Sequence, residues 1–484
     1  MAVEASHIHS IDNLPGPPRL PLIGNAHQII RSSSMHRTFE KWAERYGPIV
    51  RVNVGRRRAI IISDFDEINK ILRNRPDGFR RWSEQQKINH ELMRSNSLIY
   101  AEGTDWKRQR RLVVTALNTN HLHLYFDIIA TSTERLHRRL VNAAREGRVI
   151  NIQEDLTAYT VDITSALVFG QDINTLERGE NELDGHIRLL MRMVARRLAT
   201  PIPYWRWFKL PADRALEHSV AEILRAIHEF IEQARTRMSE RPELRQAPEN
   251  FMEGMIAAQE TDGSYTDDEI IGNTLAILTA GEDTTALTMG WAVWFLASRP
   301  DMQNRLAQEA EILGEHQFPC DHETVEQLPY SEAVLRETIR LKSVVPVMAL
   351  EPLMDTPICG THIPAGTRIL LLTHYASLQA DITEDASFVP ERWLGDGEGD
   401  LQVPNQKAFL GFGAGPRFCP GHNLAFLEAK TALAMIARNF QFELDDSQGP
   451  VQEDYTFAMA PKGLRVRLRE RAATRPLSSV SAVV

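Results

Sequence analysis

Residues 412–421 read FGAGPRFCPG, and how that decapeptide is read decides what the rest of the chain must be. Three glycines and two prolines in ten residues rule out a regular helix or strand and call for a tight turn. Cys419, one of only three cysteines, sits inside it. On a structural account the cysteine is incidental to a turn that precedes a helix. On a chemical account it is a buried thiolate holding a metal, its charge stabilised by backbone N–H groups at a helix N-terminus. On the second account Gly413 and Gly415 permit the turn, and Gly421 lets the helix start behind the sulfur. Arg417 then faces the other way, toward an anionic group.

The composition excludes several classes. A net charge of -9 and a pI near 6.0 argue against nucleic-acid binding. Cys320, Cys359 and Cys419 are too few and too scattered for a disulfide framework or a zinc site, which points to a reducing compartment. The N-terminal MAVEASHIHSIDNL lacks the apolar run of a signal peptide or anchor. The longest apolar region, 270–298, is interrupted by Glu282, Asp283 and several threonines, whereas a membrane span needs ~20 nearly unbroken apolar residues. The chain reads as soluble and cytoplasmic, with 43% hydrophobic residues to build a large core.

Outward from the decapeptide, a helix is expected over 422–439, followed by a closing hairpin and a flexible tail at 472–484. On its N-terminal side, short apolar runs after Val344 separated by Pro and Gly suggest a small sheet. Residues 104–342 are helical in pattern, with breaks at turn-rich stretches. Near the start, 1–25 is a Pro-rich extended lead-in, 36–47 a helix and 49–63 a hairpin, and 80–97 reads as an irregular loop. No repeat or interior linker divides the chain, so 1–484 reads as one mainly α domain with minor β parts.

Three further motifs carry chemistry. Thr266 and Glu269 form a capping box that opens a helix running to about Ser298, with AGEDTTA (280–286) at its middle. Two carboxylates in such a helix are costly unless paired or used. Either they face outward while Thr284 bonds back to the Ala280 carbonyl, or Gly281 thins the helix for a ligand that Asp283 and Thr284 supply with protons. In RETIRL (336–341) Glu337 and Arg340 share a helix face, and Arg392 of PERW (390–393) could join them. In DWKRQR (105–110) Trp106 and Arg110 lie four apart, either a half-buried indole beside a surface arginine or a pair suited to a carboxylate.

In this order and spacing the motifs resemble the cytochrome P450 family, over essentially the whole chain. The haem-loop pattern FxxGxRxCxG is matched at Phe412, Gly415, Arg417, Cys419 and Gly421, and AGxDT at Ala280, Gly281, Asp283 and Thr284. ExxR is matched at Glu337 and Arg340, the PERF-like element at PERW, and WxxxR at Trp106 and Arg110. The resemblance implies the P450 fold, haem b as cofactor, and Cys419 as axial ligand of its iron. It makes Trp106, Arg110 and Arg417 propionate partners, with Phe412, Gly413, Ala280 and Gly281 also against the haem. Asp283 and Thr284 become the proton relay, and Glu337, Arg340 and Arg392 a structural cluster. The implied enzyme is a soluble, bacterial-type monomeric monooxygenase that uses O2 and electrons from a separate ferredoxin or flavodoxin with its reductase. It hydroxylates or epoxidises a hydrophobic molecule of specialised metabolism in a pocket lined by Ile277, Ala280, Val345, Met348 and Met459. Lys107, Arg108 and Arg111 would form the docking face for the electron donor, and Arg80, Arg81 or Arg197 could anchor a substrate carboxylate. A haem-thiolate enzyme that rearranges, couples or nitrates its substrate, or a haem-thiolate sensor, are the competing classes. Two departures stand out: Glu351 where many members carry a propionate-binding arginine, and Pro420, which lacks an N–H and so withholds one hydrogen bond from the sulfur.

Overall fold

The computed structural model describes residues 9–472 apart from 31, 33, 55–56, 94–96, 118–121, 124, 180–181, 201–202, 264, 381–386, 395–408 and 456–457. The expected tail, 473–484 in particular, lies outside the described residues. The helices that bear on the site are α1 (Met35–Tyr46), α2 (Ser83–Met93), α3 (Gly103–Ala116), α4 (Ile152–Phe169), α5 (Glu182–Ala199), α6 (Asp267–Ala297), α7 (Pro329–Leu341) and α8 (His422–Asn439). The fold is mainly α, and no helix among the described residues is long and apolar enough to cross a membrane.

α6 is the axis of the molecule. Its capping box forms as the sequence requires: Thr266 Oγ1 accepts from Glu269 N–H at 3.3 Å, and the Glu269 carboxylate accepts from Thr266 N–H at 3.0 Å. Thirty-one residues make a rod of about 46 Å, buried on most of its surface, and it packs along α4. Gly281 makes that packing possible, because a Cβ there would stand 3.2 Å from the Thr164 side chain. The bare face of Gly281 therefore meets α4, in addition to bordering the cavity described below.

A five-stranded sheet joins the two ends of the chain. Strands β1 (Ile49–Val54), β2 (Arg57–Ile62), β3 (Phe79–Arg81), β4 (Met348–Pro352) and β5 (Arg368–Leu371) lie in the order β1-β2-β5-β4-β3. β2 and β5 are parallel, with Ala59 opposite Arg368, and the other pairs are antiparallel. β6 (Gln452–Tyr455) and β7 (Met459–Lys462) form a hairpin inside the closing pair 440–444 and 466–470. Trp291 of α6 anchors that hairpin by donating to the Met459 carbonyl at 2.9 Å.

Two expectations change here. The 80–97 segment is the end of β3 followed by helix α2, not a loop. It shows no clean period because, among the described residues of α2, only Ile88 and Leu92 are buried, while Gln85, Asn89 and Leu92 line a cavity. The lead-in is not simply extended: Gly24, at φ +62, bridges both Leu20 and Val54, and its missing Cβ would meet the Asn53 carbonyl at 2.3 Å.

Candidate active site

A cavity of about 790 Å³, within the range of small-molecule sites, lies in the interior, and its lining is mostly apolar. α6 forms one wall, through Ile277, Ala280, Gly281, Asp283 and Thr284. The turn at 410–421 forms another, with Cys419 in it.

Local geometry sets the sulfur in place. Gly413 and Gly415 have φ of +75° and +70°, and a Cβ on Gly415 would collide with Arg73 Cα at 2.6 Å. Cys419 N–H donates to the Phe412 carbonyl at 3.0 Å, closing the turn. Burial pushes the thiol upward, opposed by the backbone N–H groups of Gly421 and His422 at the head of α8 and by the Arg110 charge. The N–H groups that act on the sulfur come from Gly421 and His422, beyond Pro420, which itself has none to offer. Gly421 has ordinary backbone angles, and a Cβ there would sit 3.9 Å from the sulfur, so space is not what selects glycine at that position.

Beside the turn lies a cluster of cations. Arg417 donates to the Ala101 carbonyl at 2.6 Å, pairs with Glu102, and stacks over the Trp106 ring at 4.8 Å. Arg110 donates to the Phe418 carbonyl at 2.6 Å. Arg75 and Arg81 face the same cavity. The sum is four guanidinium groups, Arg75, Arg81, Arg110 and Arg417, against the single Glu102 carboxylate. Arg75 Nε and Nη2, Arg81 Nε and Arg417 Nε are buried without partners. Desolvation, aided by the neighbouring arginines, brings Arg75 down to about 9 and Arg417 to about 10. Buried, unmatched cations beside a cysteine fit a cofactor that carries iron at its centre and two carboxylates on its rim. Arg75 was not legible in the sequence, where ILRNRPDGFRR shows only basic residues around a turn.

On the α6 wall, Thr284 Oγ1 donates to the Ala280 carbonyl at 2.7 Å, while the residue still borders the cavity. Burial pushes the Asp283 carboxyl up, opposed by Arg188 of α5. Glu282 does not face outward. It is buried, with Asp184 of α5 also lining its small pocket, and desolvation plus the charges of Asp283 and Asp184 raise it to about 8.

Away from the cavity, Glu337 is fully buried and receives five donors. Arg340 donates at 2.8 and 2.7 Å, Arg392 at 3.0 Å, Trp393 Nε1 at 2.8 Å and Val389 N–H at 3.0 Å. Burial works to raise this carboxyl, but the Arg340 hydrogen bonds and charge, with the other donors, bring it below its ordinary value. Trp393 and the Val389 N–H were the donors that sequence reasoning missed.

The structure relocates several other expected residues. Val345, Met348, Ile277 and Ala280 line the cavity, but Met459 does not: it is wholly buried in a small core with Leu287, Trp291 and Val344. Alternation along the hairpin turns Met459 inward, and Tyr455 and Ala458 reach the cavity instead. Glu351 is turned from the cavity and occupied by Arg80 at 2.8 Å and Ser83 N–H at 3.1 Å. Arg197 pairs with Asp213 at 3.3 Å and stacks on Trp205. Of the three suggested anchors only Arg81 borders the cavity. Of the basic residues expected to meet an electron donor, Arg108 pairs with Glu269 at 2.5 Å and lies over Tyr265, while Lys107 and Arg111 are exposed.

Comparison with known proteins agrees with this geometry. A family model described as Cytochrome P450 matches residues 14–468. A putative cytochrome P450, CYP13A7, of Caenorhabditis elegans is 26% identical, the match covering 94% of both chains. The chloroplastic protein LUTEIN DEFICIENT 5 of Arabidopsis thaliana is 26% identical over 95% of this chain and 78% of its own. Cytochrome P450 monooxygenase sphH of Aspergillus fumigatus is also 26% identical, over 93% and 87%.

Proposed function

The chain belongs to the cytochrome P450 family, and from that premise we propose that it inserts oxygen into a lipophilic small molecule of specialised metabolism, with Cys419 and the Asp283–Thr284 pair on facing walls of one cavity. As a member of that family it is a haem-dependent monooxygenase that binds haem b through a cysteine thiolate and uses O2 with electrons from a redox partner. The observation that supports the site assignment is that Cys419, Asp283, Thr284 and the unmatched arginines all border the same apolar cavity.

In this reading the Cys419 thiolate would hold the haem iron. Haem b, when bound, supplies the chemistry of dioxygen activation, with one oxygen atom going to substrate and the other to water. Arg110 and Arg417, joined by Arg75 and Arg81, would neutralise the propionates, with Trp106 offering an indole N–H, while Phe412, Gly413, Ala280 and Gly281 would border the ring. The Asp283 carboxyl, pushed up by burial against the pull of Arg188, borders the cavity as the acid that would exchange protons there. Thr284, its own proton parked on the Ala280 carbonyl, offers Oγ1 as an acceptor toward the cavity. Ile277, Val345 and Met348 shape the substrate end. Thr284→Ala should therefore divert reducing equivalents: peroxide per electron pair rises and product falls about 10²-fold or more. Unchanged coupling would remove Thr284 from the relay, and with it the main distinction from a sensor. The electron carrier we propose is a ferredoxin or flavodoxin, and the enzyme a cytoplasmic monomer. Turnover with such a carrier added in trans, by protein eluting near 54.9 kDa, checks both.

Arg75 gives a second test. A buried cation with two orphaned nitrogens burdens the cofactor-free protein, so Arg75→Met should raise the apoprotein's melting temperature while speeding loss of haem from the holoprotein. A lowered apoprotein melting temperature with haem retention unchanged would place Arg75 in the fold alone.

A further inference from the structure

A second cationic group borders the cavity, separate from the arginines around Cys419. Arg57 begins β2 and Arg368 begins β5, and the register Ala59 to Arg368 sets both side chains on one sheet face, since Arg57 and Ala59 are two apart. Val52, Val54, Ala59 and Leu370 continue that face, and all line the cavity. Arg57 and Arg368 are 30% and 21% exposed, so they stand where the cavity reaches solvent.

Their charges are poorly balanced. Among the described residues, the ion pairs of Arg57 and Arg368 both go to one carboxylate, Glu84 of α2, at 3.6 and 3.5 Å. Both distances exceed the 2.7–2.9 Å of a good guanidinium–carboxylate hydrogen bond. Glu351, the other acid whose charge acts on Arg368, is taken by Arg80. Arg368 is nevertheless held in place: it lies over the Trp82 ring at 5.0 Å, and Trp82 Nε1 donates to the Leu350 carbonyl at 2.6 Å. Burial and the Arg57 charge both push Arg368 below its ordinary value, the mark of a cation that lacks a close anion. The charged groups that influence Arg417 are instead Glu102, Arg81 and Arg110, so the two clusters are distinct.

We propose that the substrate is an amphiphilic carboxylic acid, its apolar body filling the cavity and its carboxylate held at the rim between Arg57 and Arg368 in exchange for their slack contacts with Glu84. This rests on the oxygenase reading above and names the substrate class for it. A planar carboxylate can take two parallel hydrogen bonds from a guanidinium, which Glu84, tethered at more than 3.4 Å, does not make.

The test uses the purified holoenzyme with tetradecanoic acid and its methyl ester as probes, binding being read by the haem spectrum and by calorimetry. At low salt the acid should bind at least tenfold tighter than the ester, and salt should erode that advantage. In the variant Arg57→Gln/Arg368→Gln the acid-to-ester ratio should fall to about one, a comparison internal to each protein and so insensitive to partial misfolding. Glu84→Gln, which removes the competing anion, should tighten acid binding several-fold. A ratio of one in the wild type, a ratio that survives the double substitution, or a Glu84→Gln variant with unaltered acid affinity would each overturn the proposal. Binding of neither probe would likewise overturn it, while the oxygenase reading, which rests on Cys419 and its cavity, is tested separately by the carbon monoxide spectrum of the reduced holoenzyme.

Discussion

Glu337→Gln destabilises the protein by about 3–5 kcal/mol, because it leaves Arg340 and Arg392 beside a buried site without the negative charge that both face. Over a chain of 484 residues this is roughly 3–5 °C in melting temperature. The glutamine keeps the volume and can still accept from Trp393, so the loss measures charge rather than packing. Replacing Arg340 with Met in the same variant removes one stranded cation and should recover part of the loss. The pH dependence has a definite sign. The folded carboxyl lies below its ordinary 4.5, so its contribution is full above that value and is lost as pH falls through the lower folded value. The gap between wild type and Glu337→Gln should therefore narrow only in acid. A gap that is absent at neutral pH would mean the five donors do not matter to stability.

Cys419→Ser acts on chemistry and not on the fold. Serine matches the shape, and the backbone bond from residue 419 to the Phe412 carbonyl is untouched, so the apoprotein should melt as wild type does. Haem would be held, if at all, without the thiolate that supports O–O cleavage. Oxygenation should drop by far more than the roughly 10–100-fold typical of losing an outer-shell partner, measured as product per haem with dithionite-reducible haem as denominator. Retention of a tenth of the activity would assign the axial position elsewhere.

What the sequence disclosed, and what it withheld, follows from range. Helix α8 was readable to its first and last residues because a glycine turn precedes it and a change to alternating polarity follows it. The capping box of α6 was equally plain, since both partners lie within one turn. Elements that depend on distant partners were hidden. Helix α2 shows no helical period, as its polar side faces a cavity formed by residues far along the chain. The burial of Glu282 depends on α5, nearly a hundred residues earlier, and Arg75 becomes a cavity-lining cation beside Arg417 only when the chain around it meets the Cys419 turn. Met459 was misplaced for the opposite reason: its neighbourhood was right, and one step of strand alternation decided which residue faced in.

The most direct test of the central claim is the spectrum of the purified, haem-loaded wild-type protein, reduced under carbon monoxide. The account predicts the strongly red-shifted Soret band of a thiolate-ligated haem, abolished by Cys419→Ser and intact in Cys320→Ser and Cys359→Ser. A spectrum of the histidine-ligated type, or a thiolate band that survives Cys419→Ser, would contradict it.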